Sequence, residues 1–243
     1  MTTSSAHATP SNPRGLKDLP FPLPEVTRAQ KDRARRILKA LRETYPDAHC
    51  ELDYTHPHEL VIATILSAQA TDVGVNKATP KLFGAFPEPS SYAEATPKDI
   101  EPYIKTIGLY RNKAKAVHAA MNTLVDDFDS VVPDTMDELL TLRGVARKTA
   151  NVVLGNAFNI NVGFVVDTHV ERISKRLGLV PEDATVAMTE RYLCALLPRD
   201  SWCDASHMLI FHGRRACKAR LATHIDNDIC KRFGSCNQGD GGG

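Results

Sequence analysis

The sequence predicts an all-α protein, and three features support this prediction. Between the two ends of the chain, nearly every periodic segment repeats apolar residues at helical spacing. No segment alternates apolar and polar residues as a half-buried strand does. Glycine and proline separate the periodic segments at short intervals. Many short helices separated in this way are typical of a packed α-domain and not of a long bundle.

Several predicted helices can be placed from their apolar stripes and end signals. Thr135–Glu138 fits a capping box, whose hydroxyl and carboxylate accept hydrogen bonds from unpaired amides. The nearly unbroken apolar run Leu60–Leu66 is too short to span a bilayer, so we expect a buried helix there. The stripes are Ala114, Val117, Met121 and Leu124; Ala150, Val153, Leu154 and Ala157; and Met188, Tyr192, Leu193 and Leu196, the last of which is ended by Pro198.

Composition describes an ordinary globular chain. Its 243 residues are 42% apolar and 24% charged, a size that fits one large domain or two small ones. The net charge of +1 excludes a protein that binds nucleic acid through its overall charge. The first residues lack the apolar stretch of a secretory signal, so we expect a cytoplasmic protein. Residues 1 to about 26, rich in Ser, Thr and Pro, and the glycine-rich residues 238–243 are predicted to be flexible tails.

Basic residues and cysteines are unevenly distributed. Lys105–Lys115 contains four bases and no acid, and Arg214–Arg232 contains six bases and two acids. Each cluster is either a nucleic-acid-binding patch or ordinary solvated surface. Six cysteines in a cytoplasmic chain do not indicate a disulfide framework. Because Cys217, Cys230 and Cys236 lie close together near the C-terminus, they suggest a metal site.

Leu142–Ala150, which reads L-R-G-V-A-R-K-T-A, places a tight glycine turn directly before an amphipathic helix. The first amides of a helix lack acceptors and carry the positive end of the helix dipole. Gly144, Val145 and Ala146 can therefore present a binding place for a phosphate oxygen, independently of base sequence. Taken alone, the three residues favour the other interpretation, an ordinary turn between two helices.

Lys148 and Asp167 are the residues that can carry chemistry. Lys148 lies in the first turn of the helix, where the dipole favours the neutral amine that attack on a sugar carbon requires. The alternative is a solvated or phosphate-pairing lysine. Asp167 follows the apolar run Phe164–Val166, so we expect it at or just before a helix start. A carboxylate near Lys148 can stabilise positive charge or carry a proton, whereas its other interpretation is an N-cap.

Four motifs together resemble the endonuclease III family of helix–hairpin–helix DNA glycosylases. They are L-R-G-V-A-R-K-T-A-N-V-V, V-D-T-H-V-E-R, L-S-A-Q-A-T-D at Leu66–Asp72 and I-K-T-I-G-L-Y at Ile104–Tyr110. The motifs occur in the order and spacing of the family, and the resemblance covers about residues 30–236.

The resemblance implies a role for four residues and duplex DNA as the partner. Lys148 matches the nucleophile, which attacks C1′ of a damaged nucleotide, forms a Schiff base and permits β-elimination. Asp167 matches the catalytic carboxylate. Gln69 and Leu109 match residues that enter the duplex when the nucleotide is turned out, an extrusion that costs on the order of a few kcal/mol. Without the resemblance, Gln69 is a polar group at a helix end and Leu109 is a core contact.

The hairpin departs from the family at two positions. Arg143 stands where the family usually has Pro, and Ala146 where it usually has a second Gly. Losing the proline increases the entropy of the unfolded chain, an effect of about 1 kcal/mol or less. Ala146 is tolerable only if its φ angle is negative. We expect an altered affinity for DNA and an unchanged fold.

The cysteines depart further from the resemblance, which implies a [4Fe–4S] cluster bound by C-x6-C-x2-C-x5-C. Cys217 fits the first position, and Cys230 and Cys236 fit the last pair, which puts Asn227 at the second position. Alternatively, Cys230 is the last ligand and both middle cysteines are deleted. Such a cluster usually requires four thiolates, so its presence stays open. Candidates for a fourth ligand are His224, Asp226 and Asp228.

The helical pattern and the resemblance together predict two helical domains with a DNA-binding cleft between them. A barrel domain that includes the hairpin covers residues 51–161. Residues 27–50 and 162–237 form a second domain that includes the cysteine loop. We expect Lys148 and Asp167 to face each other across the cleft, a common position for active sites.

The expected function is a bifunctional DNA glycosylase and abasic-site lyase that removes oxidised pyrimidines from duplex DNA in base excision repair. We expect a monomer associated with the nucleoid. One alternative is an abasic-site lyase with weak glycosylase activity, and another is a non-catalytic module that binds damaged DNA. Borohydride trapping on abasic DNA distinguishes the last alternative, because only a Schiff-base enzyme is captured.

Overall fold

The structure is a computed structural model that describes residues 19–220 and 227–234. These residues form twelve α-helices and a short 3-10 turn, and neither described range contains a β-strand, which confirms the all-α prediction. No helix within the same ranges is both long enough and apolar enough to cross a membrane. The elements are α1 (Arg28–Thr44), α2 (Pro57–Ser67), α3 (Asp72–Ala85), α4 (Pro89–Glu94), α5 (Pro97–Ile104), α6 (Tyr110–Phe128), α7 (Met136–Leu139), α8 (Arg147–Ala157), α9 (Thr168–Arg176), α10 (Val186–Leu196), the 3-10 turn Arg199–Ser201, α11 (Trp202–Arg215) and α12 (Asp228–Phe233).

The buried apolar residues form two separate cores. The central core is built from Leu52 to Leu154 and contains the buried faces of α2 to α8. The terminal core combines α1 with residues from Phe164 to Phe233, including α9 to α12. The chain thus enters the central core after Tyr45 and leaves it after Leu154. We propose that each core is the interior of one domain.

Helix α2 lies at the centre of the central core. Every residue from His58 to Leu66 is buried, which confirms the prediction of a buried helix at the apolar run. Its first turn is closed by Glu59, whose Oε2 accepts hydrogen bonds from the amides of Thr55 (2.5 Å) and His56 (3.0 Å). The helix packs against α3, α6 and α8, so its end and the start of α8 lie in the same region.

Two of the three predicted apolar stripes are confirmed, and the third, in α10, is confirmed except at Met188. The stripes of α6 and α8 are buried, except that Ala157 is only partly buried. In α10, Met188 is 38% exposed, whereas Thr189, Leu193 and Leu196 are buried. The apolar pattern missed one core position of this face because a threonine occupies it. Thr135 caps α7 by accepting a hydrogen bond from the Glu138 amide, and the Glu138 carboxylate accepts one from the Thr135 hydroxyl.

The segment before α1 packs against the terminal core. Leu19, Phe21, Leu23 and Val26 are partly buried there, although a flexible tail was expected as far as residue 26. The guanidinium of Arg147 lies 5.1 Å from the centre of the Phe21 ring. Alternate apolar residues in this segment explain the packing. Residues 1–18, and the predicted tail at 238–243, lie outside the described residues.

Candidate DNA-binding and lysine site

The hairpin between α7 and α8 requires a glycine at position 144. Gly144 has φ of +87°, in the left-handed region, and a Cβ added to it would lie 3.2 Å from the Ala116 Cβ. The next amide, that of Val145, donates a hydrogen bond to the Leu142 carbonyl at 3.0 Å. The Val145 side chain is buried in the central core, so it anchors the hairpin while the backbone stays at the surface.

Ala146 precedes α8 as its N-cap and needs no glycine. Its φ is −97° and its ψ is 171°, an ordinary extended conformation, so losing the second family glycine introduces no backbone strain. No side chain of the described residues caps this helix start. The Ala150 amide is the first to bond within the helix, to the Ala146 carbonyl at 2.9 Å. The amides of residues 147–149 are therefore available to an anion.

Arg147 and Lys148 are the first two residues of α8, and their side chains have different roles. The Arg147 guanidinium donates to Glu190 Oε1 at 2.9 Å and so connects the start of α8 to α10. Lys148 is exposed, and no hydrogen bond or ion pair from the described part of the chain engages its amine. The amine is thus available to an incoming ligand.

Asp167 is the N-cap of α9, as expected. Its Oδ1 accepts hydrogen bonds from the amides of His169 (2.9 Å) and Val170 (2.8 Å). No hydrogen bond within the described ranges reaches Oδ2, and the residue is partly exposed. The two interpretations of Asp167 are therefore compatible, because one oxygen caps the helix and the other is available for chemistry.

Asp72 is the residue of this site that sequence reasoning missed. The carboxylate interacts electrostatically with Lys148, Asp167 and His169, which brings the starts of α3, α8 and α9 into one neighbourhood. Burial raises the pKa of Asp72, and the Lys148 ammonium opposes that shift. Asp72 Oδ2 accepts a hydrogen bond from Arg214 at 2.8 Å. In the sequence, an acid at a helix start is indistinguishable from ordinary first-turn charge.

A cavity of about 620 Å³ opens beside Asp72. Thr71, His169 and Arg214 line it together with Asp72. The cavity wall thus combines residues of α3, α9 and α11, next to the groups that interact with Lys148. This arrangement gives a ligand access to the carboxylate side of the site.

Gln69 and Leu109 share an unusual backbone conformation. Gln69 follows α2 with φ of 55°, and Leu109 precedes α6 with φ of 60°, both in the left-handed region. Both side chains are exposed, and Leu109 is 59% exposed. Leu109 is therefore not the core contact that its apolar character alone would suggest.

The basic cluster at residues 105–115 is divided between surface and interior. Arg111 and Lys115 are exposed, but Lys113 is 6% exposed, and its Nζ has no hydrogen-bond partner in the described residues. Burial lowers the pKa of Lys113. Both interpretations of the cluster, a nucleic-acid-binding patch and ordinary solvated surface, are therefore wrong for Lys113. Lys113 lies one turn before Val117 on α6 and so shares the helix face that is buried in the central core.

Comparison with known proteins identifies the family. Residues 62–199 match the model of the HhH-GPD superfamily of base excision DNA repair proteins. The chain is 49% identical to Endonuclease III of Synechocystis sp. over 192 residues, 79% of this chain and 87% of that relative. It is 41% identical to Endonuclease III of Bacillus subtilis, over 83% of this chain and 90% of that relative. The chain belongs to the endonuclease III family.

Solved structures of endonuclease III have the same fold. A non-covalent endonuclease III–DNA complex matches with a TM-score of 0.80 at 40% identity, over 88% of this chain and 98% of that chain. A trapped covalent intermediate of endonuclease III with DNA gives the same values. A thermostable thymine-DNA glycosylase shares the fold at 18% identity, with a TM-score of 0.77.

The terminal core of this endonuclease III homologue contains a compact cluster of metal-ligating groups. His212, Cys217 and Cys230 are buried, and one donor atom of each lies within 4.8 Å of the others. Hydrogen bonding with Cys230 lowers the pKa of Cys217 to about 3 against the opposing effect of burial. Sequence reasoning predicted the two cysteines and missed the histidine. The predicted ligand Cys236 and the candidates His224 and Asp226 lie outside the described residues.

The described residues of this cluster do not by themselves fit the [4Fe–4S] group of the family. That group takes four ligands, usually thiolates, each on a different iron that directs its ligand away from the centre. The described residues offer two thiolates and an imidazole, and their donor atoms are as close together as ligands of a single ion. Asn227, which one alignment puts at a cysteine position, is the N-cap of α12 and accepts from the Ile229 amide at 2.8 Å.

Proposed function

We propose that this chain is a bifunctional DNA glycosylase and abasic-site lyase of base excision repair that removes oxidised pyrimidines from duplex DNA. It acts as a monomer on the DNA of the cytoplasmic nucleoid. The observation that carries the proposal is the exposed amine of Lys148, which interacts electrostatically with Asp72, a carboxylate that also interacts with Asp167. Relatives of known structure bind DNA and form a covalent intermediate with it, and Lys148 supplies an amine for such a bond.

The hairpin supports binding of the DNA backbone. A phosphate accepts hydrogen bonds from the amides that open α8, behind the turn at Gly144 and Val145. Turning out a nucleotide leaves a gap in the duplex, and the exposed side chains of Gln69 and Leu109 fill it. The polar amide replaces base hydrogen bonds, and the leucine replaces stacking contacts.

Lys148 then acts as the nucleophile. After the Lys148 ammonium gives a proton to water, Nζ attacks C1′, the bond from C1′ to the base breaks, and the base leaves with the electron pair and takes up a proton from water. Nζ loses a proton to the second oxygen of Asp167, which passes a proton to the ring oxygen as the sugar opens to a Schiff base. Loss of a proton from C2′ expels the 3′ phosphate, and water releases Lys148. Asp72 and Asp167 stabilise the positive charge of the Schiff base.

Borohydride trapping tests the proposal. The wild-type chain on duplex DNA with an abasic site is expected to form a covalent adduct, and Lys148→Gln is expected to form none while it still binds the duplex. Lys115→Gln removes another exposed lysine and is expected to trap normally. Trapping by Lys148→Gln would refute the assignment, and failure of the wild-type chain to trap would favour a binding module.

A second substrate separates full activity from lyase activity alone. Duplex DNA with one oxidised pyrimidine is expected to be cleaved at a rate within tenfold of that for abasic DNA. A hundredfold lower rate on the oxidised base would indicate a lyase with weak glycosylase activity. Both reactions are followed by strand cleavage under single-turnover conditions.

A further inference from the structure

We propose that His212, Cys217 and Cys230 bind one Zn²⁺ ion in the terminal core, at a site distinct from the lysine chemistry. One imidazole nitrogen and two thiolates are ligands that zinc favours in structural sites. All three residues are buried, and each comes from a different part of the chain: α11, the turn after α11, and α12. A fourth position is left for water.

The spacing of the donor atoms fits one ion. With bonds of about 2.3 Å to sulfur and about 2.0 Å to nitrogen, tetrahedral zinc separates its ligand atoms by about 3.5–3.8 Å. The three donor atoms here lie within 4.8 Å of one another, and His212 Nε2 lies 3.2 Å from Cys230 Sγ. Ordinary side-chain adjustments would bring all three to a common centre.

The orientation of His212 is already set for binding through Nε2. Its other ring nitrogen, Nδ1, lies 2.9 Å from the hydroxyl of Tyr45 at the end of α1. When Nδ1 carries the proton and donates it to the phenol oxygen, Nε2 presents its lone pair toward Cys230. Metal-binding histidines are commonly oriented by such a partner on the second nitrogen.

The two cysteines are also positioned by their surroundings. The Cys217 amide donates to the His212 carbonyl at 2.8 Å, which closes the turn after α11. The Arg176 guanidinium donates to Cys217 Sγ at 3.2 Å and to the Lys218 carbonyl at 3.1 Å. The Cys230 amide is capped by Asn227. Two thiolates and Zn²⁺ sum to zero charge, which suits a fully buried site.

A metal at this position joins the end of α11 to α12. The joined segments carry exposed bases, so the ion would hold those bases in one arrangement toward the phosphate backbone. The exposed bases are Lys218, Arg220, Lys231 and Arg232. The Lys148 chemistry does not pass through the ion.

Metal analysis of the full-length protein, purified without an affinity tag that binds metal, tests this proposal. We expect one zinc per chain and no stoichiometric iron or acid-labile sulfide. Exchange with Co²⁺ should give the visible spectrum of a tetrahedral thiolate site. Cys230→Ser is expected to lose the zinc, whereas Cys194→Ser, a buried cysteine of the same core outside the cluster, should retain it.

His212→Cys keeps the result interpretable if Cys230→Ser does not fold. It replaces one zinc ligand by another, so it should retain one metal and strengthen the thiolate-to-cobalt absorption. Iron and sulfide in cluster amounts would overturn the proposal. A protein purified without metal would also overturn the proposal. This holds whether Cys217 and Cys230 form a disulfide or react as two thiols with an alkylating agent.

Discussion

Leu109 and Gln69 adopt a backbone conformation that residues with side chains rarely occupy. The left-handed region costs about 1–2 kcal/mol for an L-residue, because its Cβ crowds the following carbonyl. Both side chains are exposed, so burial does not offset this cost. Strain of this kind is found at binding sites, where the surrounding structure maintains it. At the scale of the residue, these two positions support the assignment of a role on DNA.

Leu109→Gly separates function from stability at this position. Glycine adopts the left-handed conformation without strain but gains entropy in the unfolded state, so the two effects largely cancel. We expect the free energy of unfolding to change by about 1 kcal/mol or less, as measured by urea denaturation. Excision from a duplex should fall at least tenfold. A large loss of stability with unchanged excision would mean that Leu109 is a packing residue.

Individual residues could be assigned from the sequence where local geometry requires that residue type. They could not be assigned where the same residue type occurs in more than one structural setting. The glycine at position 144 could be assigned to a turn, and Asp167 to a helix start, because local geometry demands them. Asp72 and Lys113 were missed or misassigned. A helix-start acid and a helical lysine face solvent in most proteins, and only the tertiary packing places these two otherwise.

Helix α8 begins without a side-chain cap from the described residues, although capping hydroxyls close other helices of this chain. A serine or threonine at an N-cap occupies the amides of the first turn. Those are the amides that the proposed phosphate contact requires. At the level of the helix, the missing cap makes the start of α8 less stable and leaves its first amides available for binding.

Ala146→Ser tests whether the uncapped amides of α8 bind phosphate. The hydroxyl is expected to cap α8 and to raise the free energy of unfolding by about 1 kcal/mol, as measured by thermal denaturation. It should also weaken the binding of duplex DNA several-fold, because the hydroxyl competes with phosphate for the same amides. Ala146→Gly, which adds no hydroxyl, is the matched control for binding. Stronger binding by Ala146→Ser would contradict the phosphate contact.

The helices themselves could be predicted from apolar spacing, because a stripe that faces a core repeats with the helical period. The buried face of α10 could be predicted only in part, because Thr189 occupies a core position and a search for apolar residues does not detect it. The segment at 19–26 was also misjudged. Its proline content suggested a tail, but Phe21 and its apolar neighbours pack against the terminal core.

Polar contacts connect the two cores around the proposed active site. Arg214 of α11 forms ion pairs with Glu51 and Asp72, and His207 Nε2 lies 2.8 Å from Asn156 Oδ1 of α8. The hairpin belongs to the central core, and the helix that Asp167 caps belongs to the terminal core. At the scale of the whole molecule, these contacts therefore fix the position of Lys148 relative to Asp167.

His207 makes this connection sensitive to acid. Burial lowers the pKa of His207 from 6.5 to about 4, and His49 acts in the same direction. Between these values the unfolded chain binds a proton that the folded chain does not, so stability falls as the pH falls from 6.5 toward 4. The effect is at most about 3 kcal/mol. His207→Gln, unfolded in urea at pH 7 and pH 5, should show a smaller loss than wild type. An equal loss in both proteins would contradict this assignment.

The arrangement of the site across the whole molecule could be predicted only through the family resemblance. Spacing along the chain does not show that Asp72 and Lys148, which are far apart in sequence, lie in one neighbourhood. Nor does it show that His212 meets the two cysteines, since the separation between Cys217 and Cys230 matches no standard metal motif. These contacts depend on how the helices of each core pack.

The most direct test of the central claim is to locate the covalent bond. The adduct between the wild-type chain and abasic duplex DNA is reduced with borohydride, digested, and sequenced by mass spectrometry. We expect the sugar remnant on Lys148 and on no other residue. A remnant on Lys113, Lys115 or the N-terminal amine, with Lys148 unmodified, would contradict it.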